Sequence, residues 1–112
     1  MAAQFFKIRI MEEEFLAPLR GSVPVSIEAL ADELCAAGRF VIESATPEMA
    51  RFRWASAPRR DHWPEDATLY LHQGDLLLNV HTGSGQERDQ IVEAVRVAAS
   101  KLLSEPVTFE EL

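Results

Sequence analysis

The segment Leu69-Tyr-Leu-His-Gln-Gly-Asp-Leu-Leu-Leu-Asn-Val-His81 constrains the fold more than any other part of the chain. Two runs of alternating polarity flank a glycine, the pattern of a β-hairpin with one apolar face. Leu69, Leu71, Leu76, Leu78 and Val80 fall on that face for either of two turn positions, because a slip of two residues preserves the side each residue faces. Of the two, Gly74-Asp75 is the expected turn pair: glycine at the first central position suits a type II′ turn, whereas Gln73-Gly74 would force Gln73 to positive φ. A lone two-stranded ribbon is marginal in water, so this leucine face needs further strands beside it and helices over it.

The rest of the chain supplies both. Residues 5 to 11 alternate Phe6, Ile8 and Ile10 with Lys7 and Arg9, as a half-buried strand does, and Glu12 to Glu14 with the Pro18 to Pro24 segment read as a connecting loop. Ser26 is a suitable N-cap for a helix carrying Ile27, Leu30, Leu34 and Cys35, which Gly38 closes before Phe40-Val-Ile-Glu begins a second strand. After a Thr46-Pro47 turn, Phe52 and Trp54 face one way and Arg51 and Arg53 the other, giving a third strand. Residues 57 to 66 are proline-bounded and aperiodic. Beyond the hairpin, Ser84 and Glu87 form a Ser-x-x-Glu capping box for a long helix whose buried stripe is read as Ile91, Val95, Ala98 and Leu102. Pro106 ends it, and residues 107 to 110 alternate as a last strand. The expected order is β-α-β-β-β-β-α-β, an α+β two-layer sandwich with a mostly antiparallel sheet and two helices on one face, in a single domain over residues 1 to 112.

A chain of 112 residues, 47% apolar and 26% charged, has the composition of a globular domain that folds without metals or disulfides. The lone Cys35 reads as a small buried hydrophobe in a reducing cytoplasm. No signal peptide and no membrane span are apparent. The net charge of −7 is uneven: −4 over residues 1 to 50, +3 over 51 to 63 and −6 over 64 to 112. An acidic protein repels phosphate backbones at long range, which argues against nucleic acid as a partner. Arg51, Arg53, Arg59 and Arg60 are better read as partners of neighbouring acids than as a nucleic-acid patch, since no aromatic RNA-binding motif accompanies them.

Covering only one face of the sheet leaves the other to explain. It is expected to carry Arg51, Arg53, Tyr70, His72, Leu77, Asn79, His81, Thr108 and Glu110. Tyr70, His72 and His81 could line a small catalytic or ligand pocket, or with His62 a metal site, but their spacing matches no metal motif and no catalytic constellation accompanies them. His81-Thr-Gly-Ser-Gly-Gln could cradle a phosphate, yet it lacks the residues of a dinucleotide or Walker loop, and the capping box accounts for it. No cofactor and no metal are expected. The acid pairs, Glu65-Asp66 among them, read as solvated surface. Trp63, in a proline-rich loop beside arginines, has the composition of an interface anchor and equally of a lid over the core.

From Leu69-Tyr-Leu-His-Gln-Gly-Asp-Leu through Val107-Thr-Phe-Glu-Glu-Leu, roughly the last 45 residues, the chain resembles small bacterial immunity proteins of polymorphic toxin systems in element order, acidity and its Phe-Glu-Glu ending. The resemblance implies a non-enzymatic protein that binds and blocks a toxin domain. Composition is compatible with that, since an acidic domain with an open polar sheet face suits an inhibitor of a basic protein. The expected partner-binding set is Arg51, Arg53, Arg59, Arg60, His62, Trp63, Tyr70, His72, Asn79 and His81. The alternatives from other classes are the small enzyme or ligand-binding module above and a homodimer or larger homo-oligomer joined through an edge strand or the open sheet.

Overall fold

The computed structural model describes residues 13–19, 25–36, 38–55, 65–81 and 85–112. Its elements are β1 (Glu13–Ala17), α1 (Ile27–Ala36), β2 (Phe40–Ala45), β3 (Met49–Trp54), β4 (Ala67–His72), β5 (Asp75–Val80), α2 (Gly85–Leu103) and β6 (Glu110–Glu111), in the expected order. The six strands form one sheet, β2-β3-β4-β5-β1-β6, and every neighbouring pair is antiparallel. The expected strand over residues 5 to 11 lies outside the described residues. The first described strand occupies Glu13–Ala17, part of which reads from sequence as loop.

This topology sets what the helices must do. β1 and β2 lie four strand spacings apart, about 19 Å, and α1 with its linkers carries the chain across; its ten residues span about 15 Å. The start of α1 is tied down twice: Ser26 Oγ accepts from the amide of Ala29 at 3.4 Å, and the carbonyl of Pro47, in the β2–β3 turn, accepts from that of Ile27 at 3.0 Å. Thr46 holds that turn by accepting from the amides of Glu48 and Met49. Gly38, at φ +76°, closes the helix, its amide donating to the carbonyl of Cys35. Cys35 is half-buried rather than buried, since the α1 stripe turns Ile27, Leu30, Ala31 and Leu34 inward.

Both helices pack on the same face, against each other and against the apolar side of the sheet. On that side Phe15 and Ala17, Phe40, Ala50 and Phe52, Ala67 and Leu69, and Leu76, Leu78 and Val80 are all buried; on the other side of β4, Thr68 is buried as well. In α2 the buried stripe is Ile91, Val95, Ala98 and Ala99, passing on to Leu103, which packs against the core. Leu102, expected inside, is 37% exposed because the steps of four from Ile91 reach Leu103 instead. At its start, Arg88 ties the helix to the sheet by donating to Glu13 Oε2 at 2.6 Å; this bond and one to Asp89 raise the pKa of the guanidinium.

Two turns depart from the sequence reading. The β4–β5 turn is Gln73-Gly74, with φ +52° and +85°, and not Gly74-Asp75. Two positive φ values make the type I′ geometry, whose twist matches that of the flanking strands. Asp75 is thereby kept as the first residue of β5, where its carboxylate accepts from the amide of Leu19 at 2.9 Å. Nothing lies within 4 Å of a Cβ built on Gly74, so backbone conformation rather than space favours glycine there. At the end of α2, Ser104 takes φ +56° and the amide of Glu105 donates to the carbonyl of Ser100 at 3.2 Å, a Schellman closure with serine in the usual place of glycine. The Ser84 half of the expected capping box lies outside the described residues.

Gln73 and Ser104 both sit in a region that costs an L-residue about 1 kcal/mol. Gln73→Asn and Ser104→Gly are therefore each expected to raise the unfolding free energy by about 0.5–1 kcal/mol. The check is a higher urea midpoint at unchanged slope.

Candidate functional site

The period of two that turns one side of each strand into the core turns the other outward, and no described helix covers it. Antiparallel register places Leu16 opposite Leu77, Leu77 opposite Tyr70, and Tyr70 opposite Met49. These four side chains form a continuous row across β1, β5, β4 and β3, all half-buried. The next row runs Glu14, Asn79, Thr68, Arg51 and Ser44. Arg51 donates to Ser44 Oγ at 2.9 Å, and Arg53, one step further along β3, donates to Glu43 Oε2 at 3.2 Å. On the other side of the apolar row stand His72 and Asp75, directly paired at the turn. The face is thus an apolar stripe about four strands wide, bordered by charge on both sides.

Six of the expected site residues share this face: Arg51, Arg53, Tyr70, His72, Asn79 and, at its far end, His81. Arg51 and His72 are exposed, Arg53, Tyr70 and Asn79 half-buried, and His81 buried. Leu77 joins them; Thr108 is exposed just before β6, and Glu110 pairs with Leu16 in β6. Arg59, Arg60, His62 and Trp63 lie outside the described residues. Tyr70, His72 and His81 do not converge. His72 stands opposite Asp75, six residues along β5 from His81, which separates the two imidazoles by about 20 Å of strand. Among the described residues no group of three or more His, Cys, Asp and Glu is arranged to hold a metal ion, and no helix is long and apolar enough to cross a membrane.

His81 belongs instead to a buried polar knot where β4 begins and β5 ends. Its Nε2 shares a hydrogen bond with Thr68 Oγ1 at 3.3 Å and lies 3.9 Å from Glu65 Oε2. Asp66 links three strands: its amide donates to the carbonyl of Phe52, its carbonyl accepts from the amide of His81, and its carboxylate accepts from the amide of Trp54, each at 2.8 Å. Glu65 and Asp66, read from sequence as solvated surface, are 6% and 1% exposed. The sheet ladder continues through Asp66, and its carboxylate satisfies the amide at the end of β3.

Leu16 and Met49 are the members of the apolar row that sequence reasoning missed. Leu16 sits in a strand where apolar residues occupy consecutive positions, Phe15 facing in and Leu16 out, so alternation did not mark it. For Met49 the available sequence signal is the Thr46-Pro47 turn, which ends two residues before it. No protein-family model, curated protein or solved structure significantly matches this chain.

Asp66→Ala leaves the part-buried amide of Trp54 without its acceptor, which costs about 1–3 kcal/mol. Thermal or urea denaturation is expected to show a loss in that range, while His72→Ala, on the exposed end of the same strand, changes stability by less than about 0.5 kcal/mol.

Proposed function

We propose that this chain is a non-enzymatic protein-binding domain, an immunity-type inhibitor that acts in the bacterial cytoplasm by blocking a basic toxin domain, and that the outer sheet face is its contact surface. The observation that carries this reading is the Leu16–Leu77–Tyr70–Met49 row. An apolar centre with an aromatic anchor and a charged border is the usual anatomy of a protein–protein contact, in which the centre supplies affinity and the border supplies selectivity. Tyr70, at the middle of the row, is the anchor. Arg51, Arg53 and His72 are border groups, and Arg59, Arg60, His62 and Trp63, which lie outside the described residues, are proposed as further partner contacts. The net charge of −7 favours encounter with a basic partner.

The edges of the sheet are less suited to pairing with another chain. β2 carries an irregularity between Ile42 and Ser44, and β6 is two residues long, both features that discourage strand addition.

Capture from the native host with the tagged chain is expected to recover one basic protein. Against that protein, Tyr70→Ala and the Arg51→Ala/Arg53→Ala pair should each weaken binding about tenfold or more by calorimetry, and Trp63→Ala should also weaken it. Unchanged affinity in the Tyr70 and arginine variants, with folding intact by circular dichroism, would remove the sheet face as the contact surface.

A further inference from the structure

The helical side carries a second feature, independent of the sheet face. A groove of about 1140 Å³ runs between α1, α2 and the start of β2. Along α2 it extends from Gln86 to Lys101, about 22 Å at 1.5 Å per residue. Leu34, Phe40, Ala94, Val97 and Ala98 give it an apolar lining. Val97 is 50% exposed, and it and Leu102, both on α2, are the only exposed large apolar side chains among the described residues apart from the terminal Leu112.

Five charged residues border the groove, and four of them make ion pairs within the chain, Asp89 sharing Arg88 with Glu13. Glu33 pairs with Lys101 at 3.4 Å, Asp89 with Arg88 at 3.1 Å, and Glu93 with Arg96, a contact that lowers the Glu93 pKa. Arg39 is the exception: its guanidinium has no carboxylate partner among the described residues. It lies over the rings of Trp54 at 5.4 Å and Phe40 at 5.9 Å, which are themselves stacked at 4.6 Å. Stacking of this kind holds the guanidinium in place without using its N–H donors, which remain available for bidentate contact with a carboxylate.

An apolar trough with a cation at its edge that makes no ion pair among the described residues matches a ligand with one anionic head and an apolar tail. We propose that the groove binds a long-chain monocarboxylate of the fatty-acid class, its carboxylate on Arg39 and its alkyl chain lying along Ala94, Val97 and Ala98. Each additional buried methylene should then add affinity, and removal of the Arg39 charge should weaken binding of the acid but not of the matching alcohol.

Titration calorimetry of the full chain with octanoate, decanoate and dodecanoate tests this, with Trp54 emission in a Trp63→Phe variant as a second readout. Affinity is expected to rise about tenfold for each two-carbon extension. Arg39→Gln is expected to weaken dodecanoate about tenfold or more while leaving 1-dodecanol unchanged. Val97→Glu, at an exposed position that folding tolerates, should abolish both. The proposal is overturned by absence of dodecanoate binding at millimolar concentration, by equal dodecanoate affinity in Arg39→Gln, or by preference for dodecylamine. It is equally overturned if a helical amphipathic peptide of about 15 residues binds the groove and the carboxylates do not.

Discussion

The register of the β4–β5 hairpin is the constraint on which the rest of the molecule depends. Pairing Leu69 with Leu78 and Leu71 with Leu76 stacks the leucines directly across from one another on the side the helices cover. The same pairing places Tyr70 opposite Leu77 and Thr68 opposite Asn79 on the other side. β3 and β1 add to the two edges of this ribbon and inherit its faces. A slip of one residue would carry Tyr70, His72 and Asn79 into the core, so the strain at Gln73 is small beside what the register protects.

The described helices cover only one of those faces, and the two sides of the molecule differ in chemistry as a result. On the sheet side, an apolar row is bordered by arginine, histidine and carboxylate groups spread over four strands. On the helical side, internal ion pairs take up most of the charged groups around a groove and leave Arg39 stacked on aromatics. Between them, at one end of the sheet, Glu65, Asp66, Thr68 and His81 form a buried polar knot that holds β3, β4 and β5 together. Burial in that knot draws His81 away from the solvent-facing part of the outer face, so the residue serves the fold there.

Much of the architecture could be read from local pattern. Period-two alternation marked β3, β4 and β5 and placed Arg51, Arg53, Tyr70, His72, Leu77 and Asn79 on a common face. Capping chemistry at Ser26 and Gly38 marked both ends of α1. β1 was not legible, because a strand that begins Glu13-Glu14 and then places Phe15 inward and Leu16 outward has no alternation. Its hold on the fold comes from distant groups: Arg88 on Glu13, and the amide of Leu112 on the carbonyl of Glu14. Leu102 was misplaced for a related reason, since which of two adjacent leucines is buried at the end of α2 depends on the surface beneath it.

What the sequence determined by itself was the type of most elements and the side each strand residue faces, because both follow from the 3.6 and 2.0 residue periods of the chain. Tertiary structure decided the strand order, the Gln73-Gly74 turn, the burial of Glu65 and Asp66, and the stacking of Arg39 on aromatics with no carboxylate partner among the described residues. Each of these depends on which groups meet after the chain has crossed the sheet. A carboxylate at position 66 becomes structural only once the amide of Trp54 is brought to 2.8 Å from it.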